Sequence, residues 1–327
     1  MAKLLDLKGR NVLVTGGAGF IGSELSRQLV RKGANVVIYD NFLYGNGTNI
    51  KELIPRANIV KGDVLSWKVY GVIKDYKIDY VFHLAAEPYI PHSYDNPEKF
   101  FDVNTKGTIN LLMACKTLGV SRIVCFSTSE VYGTAQYVPM DESHPTLPRS
   151  TYAVSKLAAD RICYVFHHEH NLPVVIVRPF NCYGPRETQP YIVPEIITQL
   201  SKGNTVKLGN IKAKRDLTYV EDTVDAVIRV MESDIPYGEV VNIGSGLTYS
   251  VEELARMIGS LMGHDSINIV VEKSRLRPLD VNVLQCDFSK LKKWTGWRPK
   301  TKLETGLAKT IDWFEKNGKS WSWEHLV

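Results

Sequence analysis

Residues 11–22 read Asn-Val-Leu-Val-Thr-Gly-Gly-Ala-Gly-Phe-Ile-Gly, and no other stretch limits the possible folds as tightly. The Val/Leu run predicts a buried strand at 11–15. The glycines that follow permit a tight turn, and a helix is expected from there through Arg31. Strand, glycine turn and helix in that order open a βαβ unit, whose next strand runs parallel to the first. The alternation continues, with strands expected at 35–39, 57–61, 79–84, 122–127 and 173–177 and helices near 67–76, 97–118 and 151–171. The expected class is α/β, a doubly wound parallel Rossmann sheet.

After Pro179 the pattern becomes irregular, broken by Gly184, Pro185, Pro190 and Pro194. A helix at 194–202, a strand at 205–208, a helix at 221–233, a strand at 239–243 and helices near 251–262 and 303–316 predict a smaller mixed α/β lobe. On this reading residues 1–183 and 216–244 form the Rossmann domain. Residues 184–215 and 245–327 form a substrate-binding lobe at the C-terminal edge of the sheet, where open α/β sheets bind ligands. No internal repeat or low-complexity segment interrupts either part. The Trp321-Ser322-Trp323 tail reads as packing or a chain end.

Bulk properties exclude several classes. Hydrophobic residues make up 44% and charged residues 23% of the 327, which suits a globular protein. No run approaches the ~20 apolar residues of a membrane span, and the first ten residues lack the apolar core of a secretory signal. A cytoplasmic location is expected. The five cysteines are scattered without a C-x-x-C, against a disulfide framework or zinc site. His83, His92, His144, His167 and His168 lack Cys or carboxylate partners at ligand spacing, so no metal is expected. The formal net charge of +5 is spread along the chain with no aromatic-and-basic module, against nucleic-acid binding and compatible with a nucleotide diphosphate.

The glycine turn satisfies G-x-G-x-x-G from Gly17 and G-x-x-G-x-x-G from Gly16, through Gly19, Phe20, Ile21 and Gly22. Between a strand and a helix, such a turn lets a pyrophosphate approach backbone N–H groups at the helix N-terminus. Asp40 ends the second strand 18 residues after Gly22. A carboxylate there binds ribose hydroxyls and repels a 2′-phosphate. No base follows it from Asn41 to Gly45, so NAD is favoured over NADP. Asp63 and Val64 end the third strand, where the adenine edge is expected.

Tyr152 and Lys156 stand at i and i+4 on one helix face. A nearby ammonium group together with a positive nicotinamide would lower the phenol pKa and make Tyr152 a usable base. Ser127, Thr128, Ser129 and Glu130 bring hydroxyls and a carboxylate to the end of an earlier strand.

At these residues the chain resembles the extended short-chain dehydrogenase/reductases of the nucleotide-sugar epimerase/dehydratase family. The likeness runs through His83-Leu84-Ala85-Ala86, Asn104-Thr105-Lys106-Gly107-Thr108, the Thr128/Tyr152/Lys156 triad, Arg178 to Pro185, Arg215 to Asp222, Asn242 to Ser245 and Arg277-Pro278. The resemblance implies that Tyr152 takes the sugar C4 hydroxyl proton while NAD accepts the hydride. Thr128 then bonds the same oxygen and Lys156 the nicotinamide ribose. It places Leu84, Ala85, Ala86, Asn104, Ser127 and Pro179 at the cofactor. It places Glu87, Ser93, Asn181, Val193, Lys207, Arg215 and Arg277 at a nucleotide-diphosphate sugar. Helices 97–118 and 151–171 resemble the family's four-helix interface and imply a homodimer.

Family members differ after the shared oxidation. Epimerases usually carry a small residue at position 130, whereas a carboxylate there suits removal of the C5 proton by a 4,6-dehydratase. The Thr-Ser-Glu triplet resembles that of guanosine-diphosphate-mannose dehydratases and leaves the acid at C6 open between Ser129 and Glu130. Nucleotide-sugar decarboxylases share the triplet but usually carry Arg where this chain has Leu276. Residues 127–142 and 207–211 resemble N-acetylglucosamine-nucleotide 4,6-dehydratases. The expectation is a dehydratase acting on a UDP- or GDP-linked N-acetylhexosamine. A 4-epimerase and a decarboxylase are the alternatives. A non-catalytic NAD-binding sensor is disfavoured, because such proteins typically lose the Tyr or Lys.

Overall fold

Successive residues of a strand point to opposite faces of its sheet, and in β1 (Asn11–Thr15) both faces are apolar. In the computed structural model of the chain, which describes residues 5–45 and 47–318, Val12 and Val14 enter one core and Leu13 the other. Val36 and Ile38 against Val37 and Tyr39, and Tyr80 and Phe82 against Val81, divide in the same way. Strands apolar on both sides are what a parallel sheet covered by helices on both faces demands. Each buried Val, Leu or Ile contributes about 1.5–3 kcal/mol relative to exposure. The 321–323 tail lies outside the described residues.

The first half continues through α1 (Phe20–Arg31), β2 (Asn35–Asp40), β3 (Asn58–Lys61), α2 (Lys68–Asp75), β4 (Tyr80–His83), α3 (His92–Asp95), α4 (Pro97–Phe101), α5 (Gly107–Leu118), β5 (Arg122–Phe126), α6 (Thr151–His170) and β6 (Val174–Pro179). It is followed by β7 (Asn181–Tyr183), α7 (Ile192–Leu200), β8 (Thr205–Leu208), β9 (Lys214–Tyr219), α8 (Val220–Glu232), β10 (Val240–Ile243), β11 (Thr248–Ser250), α9 (Val251–Leu261), β12 (Asn268–Val271), α10 (Ser289–Thr295) and α11 (Leu303–Asn317).

Seven parallel strands form the main sheet in the order β10-β6-β5-β4-β1-β2-β3. Helices α1, α8 and α10 cover one face and α2, α5 and α6 the other. The doubly wound expectation therefore holds. The order reverses between β1 and β4, and a crevice opens at such a switch point beyond the strand ends.

The lobe carries β11-β9-β7 and β12-β8, with a separate core built from α7, α9 and α11. Residues 181–183 and 217–219, expected in the Rossmann part, pair with each other in this smaller sheet, as Asp216 does with Thr248, while α8 and β10 return to the main one. The helical run expected at 97–118 is present but contains a π-helical segment, Asp102–Lys106, between α4 and α5. α6 begins where Ser150 Oγ accepts the Ala153 N–H at 3.1 Å and ends at Asn171, in a left-handed conformation (φ 54°). Among the described residues no helix is long and apolar enough to cross a membrane.

Candidate active site

A cleft of about 930 Å³ follows the C-terminal strand ends and runs under the lobe. That is near the upper end of small-molecule sites, as a dinucleotide beside a second ligand requires. Its first wall is the glycine turn. Gly16 has φ +69°, and a Cβ there would lie 2.8 Å from Ala85 N. A Cβ at Gly22 would lie 2.1 Å from Gly16 O, so the turn closes on α1 only with glycine at both places. Gly16, Gly19, Phe20, Ile21 and Gly22 all line the cleft.

Asp40 fastens this turn from the side. Its carboxylate accepts the N–H of Ala18 at 2.9 Å and of Phe42 at 2.8 Å. Burial raises its pKa, with the three backbone bonds from Phe42, Ala18 and Asn41 opposing. Asn41 Nδ2 donates to Asp63 Oδ2 at 3.0 Å, and Asp63, Val64, Leu84, Ala85 and Ala86 complete this end. Ser127 Oγ and Asn181 Oδ1 are buried, line the cleft and have no partner among the described residues. An open glycine cradle, a strand-end carboxylate and unpartnered polar atoms fit a dinucleotide. Such a group would be held by Asp40, the α1 N-terminus, Ser127 and Lys156, and would supply a hydride acceptor.

Tyr152 and Lys156 enter from the first turns of α6. Lys156 is buried, and its Nζ donates to Phe126 O at 2.5 Å. Burial lowers its pKa. In the protein itself burial pushes the Tyr152 phenol well above its ordinary value. The hydrogen bond with Thr128 opposes this rise, and the Glu130 charge adds to it. Thr128 caps the short 3₁₀ turn Ser129–Tyr132, its Oγ1 accepting the Glu130 N–H at 3.2 Å. Glu130 is buried yet lines the cleft with Thr128 and Tyr152, whereas Ser129 is buried and is not among the lining residues.

The frame of this turn is tied below. Tyr132 Oη donates to Asn242 Oδ1 at 2.7 Å and accepts from Arg178 Nη1 at 3.0 Å. Arg178 also makes paired bonds of 2.8 and 3.1 Å with Asp160. His83 belongs to a similar chain: its Nδ1 meets Thr15 Oγ1 at 2.7 Å and its Nε2 meets Thr108 Oγ1 at 3.0 Å. Because Thr108 donates to Asn104 O, Nε2 carries the proton. Burial, helped by Lys156, lowers this imidazole to about 3.

At the lobe end, Arg215 Nη2 lies 3.5 Å from Asp280 Oδ1, and Arg277, Asn181, Val193 and Pro179 also line the cleft. Glu87 lines it as well, almost fully buried. Besides Ser129, three expected residues stand elsewhere. Lys207 points outward from β8, whose residues alternate exposed and buried, and its Nζ lies 3.8 Å from Glu272. Ser93 is buried with its Oγ donating to Ile90 O at 2.7 Å. Asn104 lies behind the cleft wall, holding the backbone of Glu87 at both N and O. The sequence reading missed Tyr44, Tyr89, Tyr94, Tyr191, Glu187 and Asn210, all of which line the cleft. Tyr94 lies within the four-residue α3, and the others sit in loops or at loop–helix joints, where no periodicity marks them.

Known proteins share the sequence pattern and the fold. The sequence model of the family described as GDP-mannose 4,6 dehydratase matches residues 13–310. UDP-glucuronic acid decarboxylase 1 of Xenopus tropicalis is 33% identical over 326 residues, covering 96% of this chain and 74% of that protein. A putative UDP-glucose 4-epimerase of Methanocaldococcus jannaschii is 30% identical, covering 94% of this chain and all of its own. The crystal structure of a dTDP-glucose 4,6-dehydratase from Streptomyces venezuelae, with NAD bound, matches with a TM-score of 0.89. It is 31% identical and covers 95% of this chain and 99% of that one.

Proposed function

The chain belongs to the extended short-chain dehydrogenase/reductase family of nucleotide-sugar dehydratases, epimerases and decarboxylases, and within it we propose an NAD-dependent nucleotide-diphosphate-sugar 4,6-dehydratase. The observation that carries this reading is the Glu130 carboxylate, set in the cleft beside Thr128 and Tyr152. Held by Asp40, the α1 N-terminus, Ser127 and Lys156, NAD would supply a hydride acceptor toward C4 and a hydride donor toward C6. Tyr152 accepts the proton of the C4 hydroxyl, fixed by its bond with Thr128. The resulting ketone acidifies C5, and Glu130 removes the C5 proton. Protonated Glu130 then delivers that proton to the departing C6 hydroxyl, and water leaves. The proton held on Tyr152 balances the one that C5 regains. Ser129 is set aside as the acid because it does not line the cleft.

Arg215 and Arg277 are assigned to the diphosphate, for which paired guanidinium donors suit phosphate oxygens. A UDP- or GDP-linked N-acetylhexosamine is the proposed substrate, on the likeness of residues 127–142 and 207–211. Decarboxylation is the second reading, favoured by the Xenopus relative. Against it, Leu276 stands where an Arg is expected. Arg275, next to it, is held by Glu195 at 2.8 Å and Glu272 at 2.7 Å.

Mass analysis after incubation with UDP- and GDP-N-acetylglucosamine tests the assignment. Loss of water is expected. Loss of carbon dioxide from a glucuronate substrate, or unchanged mass with inverted C4, would replace it with decarboxylase or epimerase. Half-exposed Val154, Tyr164 and Val165 on α6, with Met113 on α5, support the proposed homodimer, which light scattering checks.

A further inference from the structure

Strand order places β1 between β2 and β4. The loops that follow β2 and β4 therefore rise on either side of the glycine turn that follows β1. Two strand spacings separate their bases by roughly 10 Å. Across that gap Tyr44, from the β2 loop, donates its phenol proton to the carboxylate of Glu87, from the β4 loop. Both residues line the cleft. Lys99, on α4, brings its Nζ to 3.0 Å from the other Glu87 oxygen and lies 5.9 Å from the centre of the Tyr44 ring. The carboxylate is nearly fully buried, while Lys99 remains half exposed.

Both ends of this bridge are anchored. The β2 loop is packed onto the glycine turn so closely that a Cβ on Gly45 would lie 2.3 Å from Ala18 O. Asn49 Nδ2 reaches the same carbonyl at 3.3 Å, and Asp40 holds Ala18 N. At the other end Asn104 accepts the Glu87 N–H at 2.8 Å and donates to Glu87 O at 3.2 Å. Its Nδ2 also meets Ser155 Oγ at 2.9 Å, beside Lys156. Asn104 sits within the π-helical segment, a widening that often marks functional positions.

We propose that Tyr44, Glu87 and Lys99 form a strap over the cofactor half of the cleft that keeps NAD captive through the whole catalytic cycle. The inference rests on the proposed cofactor and reaction and goes beyond them. A reaction that borrows a hydride at C4 and returns it at C6 needs such retention, because escape of the reduced cofactor midway would strand a ketone on an enzyme unable to finish. Tyr44, Glu87 and Lys99 are positioning residues: none is assigned a proton or hydride.

The test is exchange of bound NAD against nicotinamide-deuterated NAD, followed by native mass spectrometry without sugar substrate. Tyr44→Phe keeps the ring and removes the bond to a charged acceptor. It is expected to exchange about tenfold faster or more, with an unfolding midpoint close to the wild type. Lys99→Met removes only the outer contact and is expected to give a smaller acceleration in the same direction. Exchange in Tyr44→Phe at the wild-type rate overturns the strap, as does a wild-type protein that retains no NAD. If exchange accelerates but no nucleotide sugar loses water, the strap stands and the dehydratase reading falls.

Discussion

Replacing Glu130 by Gln separates the shared oxidation at C4 from the later elimination across C5 and C6. Glutamine keeps the shape of the side chain, and the backbone bond from position 130 to Thr128 Oγ1 survives, so the turn should keep its form. Folding stability is expected to change by less than about 1 kcal/mol, because no buried partner is orphaned. The loss falls on proton transfer at C5. A positioned general base contributes about 10²–10⁴-fold, which corresponds to about 2.7–5.4 kcal/mol on the barrier to water loss. The C4 step should be spared. Burial is the main cause of the raised Tyr152 phenol, the Thr128 bond opposes it, and the Glu130 charge adds to it. Removing that charge moves the phenol down, toward easier deprotonation. In a single turnover in deuterated water, reduced nicotinamide absorbance should rise at about the wild-type rate and persist. Deuterium at C5 and the dehydrated mass should both be nearly absent. Water loss at the wild-type rate would refute the assignment of the base. Loss of both steps together would refute the claim that the C4 oxidation does not need Glu130.

Other contacts carry their own expected outcomes. Asp160→Ala leaves the buried Arg178 guanidinium uncompensated and should cost about 3–5 kcal/mol in urea unfolding at neutral pH. Burial alone would raise the Asp160 carboxyl, but Arg178 reverses this and holds it below its ordinary value. That stabilisation is present above the unfolded pKa of about 3.9 and is lost as pH falls through the folded value. Variant and wild type should therefore converge in acid, and a gap independent of pH would contradict the linkage. Asp40→Ala should weaken NAD by about tenfold or more, ~1.4 kcal/mol, and weaken NADP less; calorimetric titrations giving equal losses would remove Asp40 from the ribose. Arg277→Ala should raise KM for the nucleotide sugar by about ten- to a hundredfold, as loss of a charge-assisted bond implies, while Lys207→Ala leaves KM unchanged; a comparable rise for Lys207→Ala would show that its side chain swings into the cleft.

The Rossmann half was legible because its strands are apolar on both faces and its turns carry glycine, two signals that act over a few adjacent residues. Its candidate site residues lie at strand ends or in the first turns of α6, so placing these elements placed Asp40, Thr128, Glu130, Tyr152 and Lys156. The lobe was less legible. β7 and β11 have three residues each, too few for periodicity, and β7 and β9 pair with each other in the lobe rather than in the main sheet. Lys207 could have been placed correctly: Thr205-Val206-Lys207-Leu208 alternates polar and apolar, which turns the lysine outward. The upward push of burial on the Tyr152 phenol could not be judged from spacing alone, because burial is a property of the assembled fold. Tyr44 gives no sequence sign at all, since its meaning depends on a partner 43 positions away.

The ties beneath the Ser129–Tyr132 turn bear on how such enzymes diverge. Tyr132, Arg178, Asp160 and Asn242 fix the frame of the turn from below, whereas the side chain at 130 projects into the cleft and takes no part in that network. On the proposed mechanism, a substitution at 130 would alter the outcome of the reaction without unsettling the scaffold that presents it. Relatives about one-third identical bear the names of dehydratases, epimerases and decarboxylases. A fold that keeps its frame apart from its interchangeable chemical group can change trade by few substitutions, and this turn is one place where that freedom resides.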